Sequence, residues 1–185
     1  AKAKIGELVA VVDRTIEGIR RIIGRLSPLV LQELGLISAI RKEAKDLAKT
    51  SGVKSRVAIS DDVGRLDPMI ETAIYRVVQE SLHNVAKHAQ AQNVNIQMER
   101  VGETLRLMIE DDGVGIRAVT NPLRPSFGMA GMHERISTLG GQMKVSSRPG
   151  EGTRISVTVP APMRQAEAET IAKAEEARVP LGMGR

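Results

Sequence analysis

The chain has 185 residues, with 27 Lys and Arg against 22 Asp and Glu, a net charge of +5, one Tyr, one Phe, no Trp and no Cys. That length holds one good-sized core plus an appendage, and the lack of cysteine excludes disulfides and thiolate metal sites and fits a reducing compartment. Interspersed charge with almost no base-stacking aromatics argues against nucleic acid as a partner, and no apolar run approaches the roughly 20 residues that span a bilayer. The expectation is a cytoplasmic piece without membrane contact of its own, possessing no visible signal peptide. The first residues are already mid-pattern, which reads as a fragment of a longer protein.

Residues 5–26 carry a heptad-like stripe, with Ile5, Val12, Ile19 and Leu26 in one register and Leu8, Thr15 and Ile22 in the other. This predicts a long helix that needs a partner helix. Ser27-Pro28 interrupts it, because the residue before proline is pushed away from helical angles. A second amphipathic run over 29–49 ends at Thr50-Ser51-Gly52, and a short β pattern over 56–59 follows.

The organising stretch is 67–88, DPMIETAIYRVVQESLHNVAKH. At about 100° per residue, Ile74, Val77, Val78, Leu82, Val85 and Ala89 gather on one side, while Glu80, Asn84 and Lys87 fall on the other. Asp67-Pro68 marks its start: a short carboxylate accepts from free amides of the first turn, and proline has no amide to leave unpaired there. Val94, Ile96 and Met98, then Leu105, Leu107 and Ile109, alternate with polar residues across a turn at Val101-Gly102, which predicts two strands of a half-buried antiparallel sheet.

Asp111-Asp112-Gly113-Val114-Gly115 comes directly after the second of these strands. A loop over 117–127 carries Pro122 and Pro125, a helix is predicted over 129–139, and Gly140-Gly141 closes it. Strands over 142–147 and 154–159 flank the turn Arg148-Pro149-Gly150-Glu151-Gly152. Pro160 and Pro162 close the domain, and the Ala-, Glu- and Lys-rich remainder has too little apolar surface to form core, so a frayed helix or disorder is expected there.

Glycines after a strand and at a helix start let backbone amides approach an anion, and the helix start adds partial positive charge. A phosphate-bearing ligand is the natural inference, although each glycine cluster taken singly also reads as a plain turn. No Gly-Lys-Ser/Thr succeeds these glycines, so this is not a P-loop, and they do not occupy the first turn of a parallel unit as the dinucleotide fingerprint requires.

The order Glu80-Ser-Leu-His-Asn84-Val-Ala-Lys87-His88-Ala89, then Asp111-Asp-Gly113-Val-Gly115-Ile116, then Gly128-Met129-Ala-Gly131-Met132, then Gly150-Glu-Gly152-Thr153, resembles the ATP-binding catalytic domain of two-component sensor histidine kinases. The resemblance runs from about Arg25 to Pro160 and is nearest to the nitrate/nitrite-sensor-like subfamily. Leu26-Ser27-Pro28 and Leu34-Gly35-Leu36 resemble the junction that follows the second helix of that subfamily's dimerisation and phosphotransfer region.

The resemblance implies an α+β fold of the Bergerat type: a two-layer α/β sandwich with a mixed, mainly antiparallel sheet, preceded by a long helical segment. It divides the chain into 1–50, part of the dimerisation region, 51–162, the catalytic domain, and a flexible tail over 163–185. ATP and Mg²⁺ are the implied cofactors. Asn84 would give an amide oxygen to Mg²⁺ with Glu80 beside it, and Glu80 would orient or deprotonate the incoming imidazole. Lys87 and His88 would lie near phosphate oxygens.

Asp111 would accept from the adenine amino group, a charged hydrogen bond worth roughly 1.5–3 kcal/mol, and would repel the carbonyl that guanine offers there. Gly113, Gly115 and Ile116 would pass close to the base, Thr153 would support it through a hydroxyl, and Gly128, Met129, Gly131 and Met132 would contact nucleotide beyond a lid over 117–127. The implied partners are a response regulator, whose aspartate receives the phosphate, and a second copy through the helical region. The phosphoaccepting histidine is expected upstream of Ala1.

The subfamily usually carries a basic residue, commonly arginine, where His133 stands. His83 is expected on the helix surface, no zinc site is expected from the three histidines, and Met129, Met132 and Met143 read as core filler rather than redox groups. Two other readings keep the nucleotide site: an anti-sigma-factor-like serine kinase, against which the paired helices argue, and a non-catalytic nucleotide-binding signalling module, against which Glu80 and Asn84 argue.

Overall fold

The computed structural model describes residues 29–116 and 127–162. The heptad stretch over 5–26, most of the expected lid and the C-terminal tail lie outside the described residues.

Helix α1 (Leu29–Ser51) is not the uninterrupted run that its pattern predicts. Gly35 breaks it at φ 73°, ψ 166°, a conformation that a residue with a Cβ adopts only at a cost. After the break Leu36, Ala39, Ile40, Ala44 and Leu47 form one buried stripe, whereas Leu29 and Leu34 before it stay largely exposed. Glycine lets the chain change direction and begin a helix whose apolar face meets the core.

Strand β1 (Lys54–Ile59) and a 3₁₀ turn, Asp61–Val63, lead to helix α2 (Pro68–Asn84). Asp67 caps α2 as predicted: its carboxylate accepts from the Met69 amide at 2.8 Å, with proline in the first turn. Such a cap stabilises a helix by about 1 kcal/mol. The stretch over 67–88 is not one α-helix, however. Beyond Asn84 it widens into a π turn, Val85–Ala89, closed by Gln90 at φ 51°. The Ala89 carbonyl at its end accepts from the Val114 amide at 2.7 Å, which draws the helix end onto the loop after the third strand.

Strands β2 (Asn93–Val101) and β3 (Thr104–Asp111), helix α3 (Phe127–Thr138), and strands β4 (Gln142–Ser147) and β5 (Thr153–Pro160) complete the described fold. The sheet order is β1-β2-β3-β5-β4. Strand β1 runs parallel to β2, as it must when α2 crosses between them, and the other pairs are antiparallel. Along β2 and β3 alternate residues are buried, so one face of the sheet is packed under helices and the other is polar. This is the expected two-layer α+β sandwich.

The inward alternation of β2 ends on a charge. Arg100 is buried, and its guanidinium donates to the Val63 carbonyl at 3.0 and 3.2 Å and to the Ala161 carbonyl. A buried cation is tolerated where carbonyl dipoles replace its water, and this one ties the strand end to the 3₁₀ turn and the end of the domain.

Candidate functional site

At the opposite end of the sheet from Arg100, β2, β3, β5 and β4 contribute Val94, Asp111, Thr153 and Ser147 to one row of register partners. Directly opposed residues share a face of the sheet, so three polar side chains line up on the helix-covered face, which elsewhere along these strands is mostly apolar.

Asp111 is only 8% exposed and accepts from the Gly113 amide at 2.9 Å. Burial pushes its carboxyl above the ordinary range, opposed by hydrogen bonds from the Gly113 and Thr153 backbones. Its neighbour Asp112 points elsewhere: Oδ1 accepts from the Gln92 and Asn93 amides at 2.8 Å, and Oδ2 from the Asn93 side chain at 2.7 Å. Those bonds, from the Asn93 backbone first, hold the Asp112 carboxyl below its usual range. One aspartate is thus tied into the strand pair, while the other is buried in the polar row.

The loop between them and helix α2 is in close contact. A Cβ on Gly113 would strike the Ala89 carbonyl, and one on Gly115, at φ 70°, would strike the Arg148 carbonyl. Both positions therefore have a packing reason to be glycine. The same contacts bring the end of the π turn, the loop Asp112 to Gly115 and the β4–β5 turn together around Asp111.

Glu80 and Asn84 are half-buried on α2, and Lys87 and His88 are exposed on the π turn one step further. Glu80 meets the start of α3, where its carboxylate occupies the space a Cβ on Gly128 would need. Met129 is half-buried against the core. Met132 is fully buried, with the Ser81 hydroxyl 3.9 Å from its sulfur, so in this structure it contributes packing between α2 and α3. The Gly131 carbonyl accepts from Arg135 at 3.2 Å. His83 and His133 are exposed on their helices.

Ser147 joins this polar row although the motifs do not single it out. It accepts from the Ile116 amide at 2.8 Å, donates to the Gly152 carbonyl at 2.8 Å and lies 3.2 Å from the Thr153 hydroxyl. The available signal was its place just before the Arg148 to Gly152 turn, opposite Thr153. Two open concavities of about 440 and 450 Å³ lie instead at the N-terminal end of α2, around Leu66. They lack the buried carboxyl and polar row, so the site is assigned by its chemistry and not by the size of a hollow.

The element order and sheet topology are those of an ATPase-family α+β fold. The chain belongs to the histidine kinase-, DNA gyrase B- and HSP90-like ATPase family, whose profile matches residues 69–163. Among curated relatives, the signal transduction histidine-protein kinase/phosphatase DegS of Brevibacillus brevis is 32% identical over 160 residues, covering 86% of this chain and 41% of DegS. The signal transduction histidine-protein kinase/phosphatase UhpB of Salmonella typhimurium is 38% identical over 145 residues, covering 78% of this chain and 28% of UhpB.

The chain thus spans less than half the length of these relatives. Among solved structures, the histidine kinase domain of the Erythrobacter litoralis EL346 blue-light activated kinase superposes with a TM-score of 0.58 at 24% identity, covering 68% of this chain and 60% of that one. The histidine kinase AdeS of Acinetobacter baumannii gives 0.56 at 17% identity, covering 82% and 79%. At these identities the structures establish the fold. The chain carries an ATP-binding catalytic domain of the histidine-kinase type, homologous to those of two-component sensor kinases.

Proposed function

We propose that this chain is the ATP-binding catalytic portion of a two-component sensor histidine kinase of the nitrate/nitrite-sensor-like subfamily. It transfers the γ-phosphoryl of ATP to a histidine for relay to a response-regulator aspartate. In this reading residues 1–50 belong to the dimerisation and phosphotransfer region, 51–162 form the catalytic domain and 163–185 are a tail. A second copy pairs through the helical region. The observation that carries the reading is Asp111, a buried carboxyl in register with Thr153 at the glycine loop, where an acceptor selects a base bearing an amino group.

The donors present fit Mg²⁺. Among the described residues no group of three or more His, Asp or Glu could hold a metal by itself, and Mg²⁺ in phosphoryl-transfer sites is bound through one or two protein oxygens plus substrate phosphates. Asn84 and Glu80, one helical turn apart and both half-buried, provide such a pair. When bound, the ion supplies charge neutralisation on the phosphates. Glu80 orients the acceptor imidazole, Lys87 and His88 meet phosphate oxygens, and Asp111 and Thr153 hold adenine beside Gly113, Gly115 and Ile116. Gly128, Met129 and Gly131 form the wall contributed by α3, with Met132 packed beneath them in the core.

The test is transfer of labelled γ-phosphate from ATP to a supplied histidine-bearing helix of the dimerisation region. The expected product is acid-labile and base-stable, as a phosphohistidine is. An acid-stable phosphoserine product, or no transfer by a chain that binds ATP, contradicts the reading.

A further inference from the structure

The polar row ends on Ser147, and the hydrogen bonds of its hydroxyl can be counted. A serine hydroxyl has one proton and two lone pairs. The proton is committed to the Gly152 carbonyl at 2.8 Å, because a carbonyl only accepts. The Ile116 amide, which only donates, fills one lone pair at 2.8 Å.

The Thr153 hydroxyl lies 3.2 Å away. With the serine proton already spent, the bond between the two hydroxyls runs from Thr153 to Ser147. The Thr153 proton is then spent as well, and its oxygen offers only lone pairs to anything placed on that face of the sheet. Next to Thr153 in the same row, ionised Asp111 is also an acceptor only.

We propose that Ser147 is a positioning residue that sets base specificity. By holding the Thr153 hydroxyl as an acceptor, it makes this end of the site favour, by direct contact, a purine with an amino group at the 6-position and oppose one with a carbonyl there. Without Ser147 the Thr153 hydroxyl is free to rotate and donate, and a 6-carbonyl purine gains a partner. This inference rests on the reading of the site as an ATP site and deepens it.

Ser147 also ties Ile116 to the β4–β5 turn, so a loss of affinity alone would not separate specificity from simple support. The ratio between two nucleotides does. ITP carries a carbonyl at the 6-position and, unlike GTP, adds no 2-amino group. Calorimetric titration of Mg-ATP and Mg-ITP is therefore made on the chain as it stands, on Ser147→Ala and on Ser147→Thr, with thermal melts to verify folding.

The expected result is a fall in the ATP-to-ITP affinity ratio of about five- to tenfold in the alanine variant, the scale of one neutral hydrogen bond, with recovery in the threonine variant. Equal weakening of both nucleotides, leaving the ratio unchanged, overturns the inference while leaving the ATP site intact. Absence of ATP binding by the unaltered chain overturns the site reading and this inference with it. Should the alanine variant not fold, Ser147→Cys keeps the volume but weakens both donor and acceptor, and an unchanged ratio in that variant overturns the inference equally.

Discussion

Gly128 presents its bare Cα to the carboxylate of Glu80, leaving no room for a side chain between the start of α3 and the polar side of α2. The group it would strike is the far end of a flexible side chain rather than backbone. A Gly128→Ala chain therefore remains folded, with stability changed by about 1 kcal/mol or less, since alanine also favours the helix. The carboxylate must move to make room, and a displacement of about 1 Å at a reacting group costs on the order of 10²-fold. Phosphotransfer onto the histidine-bearing helix should fall by about that factor. Unchanged transfer would show that the position of Glu80 does not matter to the chemistry.

Tyr75 is the only tyrosine in the chain and there is no tryptophan, so its ultraviolet absorbance reports on one site. It is buried on α2 and donates to the Glu43 carboxylate of α1 at 2.6 Å. Burial first, then the bond to Glu43, pushes the phenol well above its ordinary range. A group whose folded pKa is raised contributes stability that is full below its unfolded value, about 10, and is lost as pH rises through the folded value. Alkaline titration should show no tyrosinate until the chain unfolds. A tyrosinate midpoint near the ordinary value, with native circular dichroism throughout, would contradict this contact.

Asp112 has the opposite sign. Its folded pKa is depressed, so its contribution is present above the unfolded value, about 3.9, and disappears as pH falls through the folded one. Urea midpoints for the unaltered chain and for Asp112→Ala should differ at neutral pH and converge in acid. A gap that stays constant down to the acid transition would mean that the charge on Asp112 contributes nothing to holding β2 against the loop.

Replacing Arg100 with methionine keeps much of the apolar stem but leaves the Val63 and Ala161 carbonyls without the guanidinium. Each buried acceptor left unmet costs about 1–3 kcal/mol, so a loss of at least about 2 kcal/mol is expected in urea unfolding, with an unchanged slope. A change of a few tenths of a kcal/mol would show that water or neighbouring groups satisfy both carbonyls.

Much of this fold could be read from local pattern. Val94, Ile96 and Met98 against Leu105, Leu107 and Ile109 gave both strands and their buried face, because the period of side-chain direction in a strand is two. Asp67-Pro68 gave the start of α2, because a cap is settled within three residues. The features that were missed depend on residues distant in the chain. The partners of Arg100 are at positions 63 and 161, so alternation could say that it points inward but not what it meets.

The π turn after Asn84 follows from contact with Val114 and Gly113, while Val85 and Ala89 fit an ordinary helix equally well by spacing. Leu34-Gly35-Leu36 was legible as a junction motif, but the break itself is a backbone feature, the positive φ of Gly35, that side-chain periodicity does not report. In the site, Asp111 and Thr153 were named separately from motifs, and it is the register β3–β5–β4 that makes them neighbours and adds Ser147. Met132 shows the converse case, since a residue inside a motif is occupied with packing against Ser81.

The most direct test of the account is calorimetric titration of Mg-ATP and Mg-GTP into the unaltered chain and into Asp111→Asn. The account predicts that the chain selects ATP, and that the asparagine variant loses about 10- to 100-fold in ATP affinity, the value of a buried charged hydrogen bond. The variant should unfold at no lower temperature at neutral pH, because burial of the ionised carboxyl is what raises its pKa. Equal affinity of the unaltered chain for both nucleotides, or ATP binding indifferent to the substitution, would contradict Asp111 as the base-selecting acceptor on which the site reading stands.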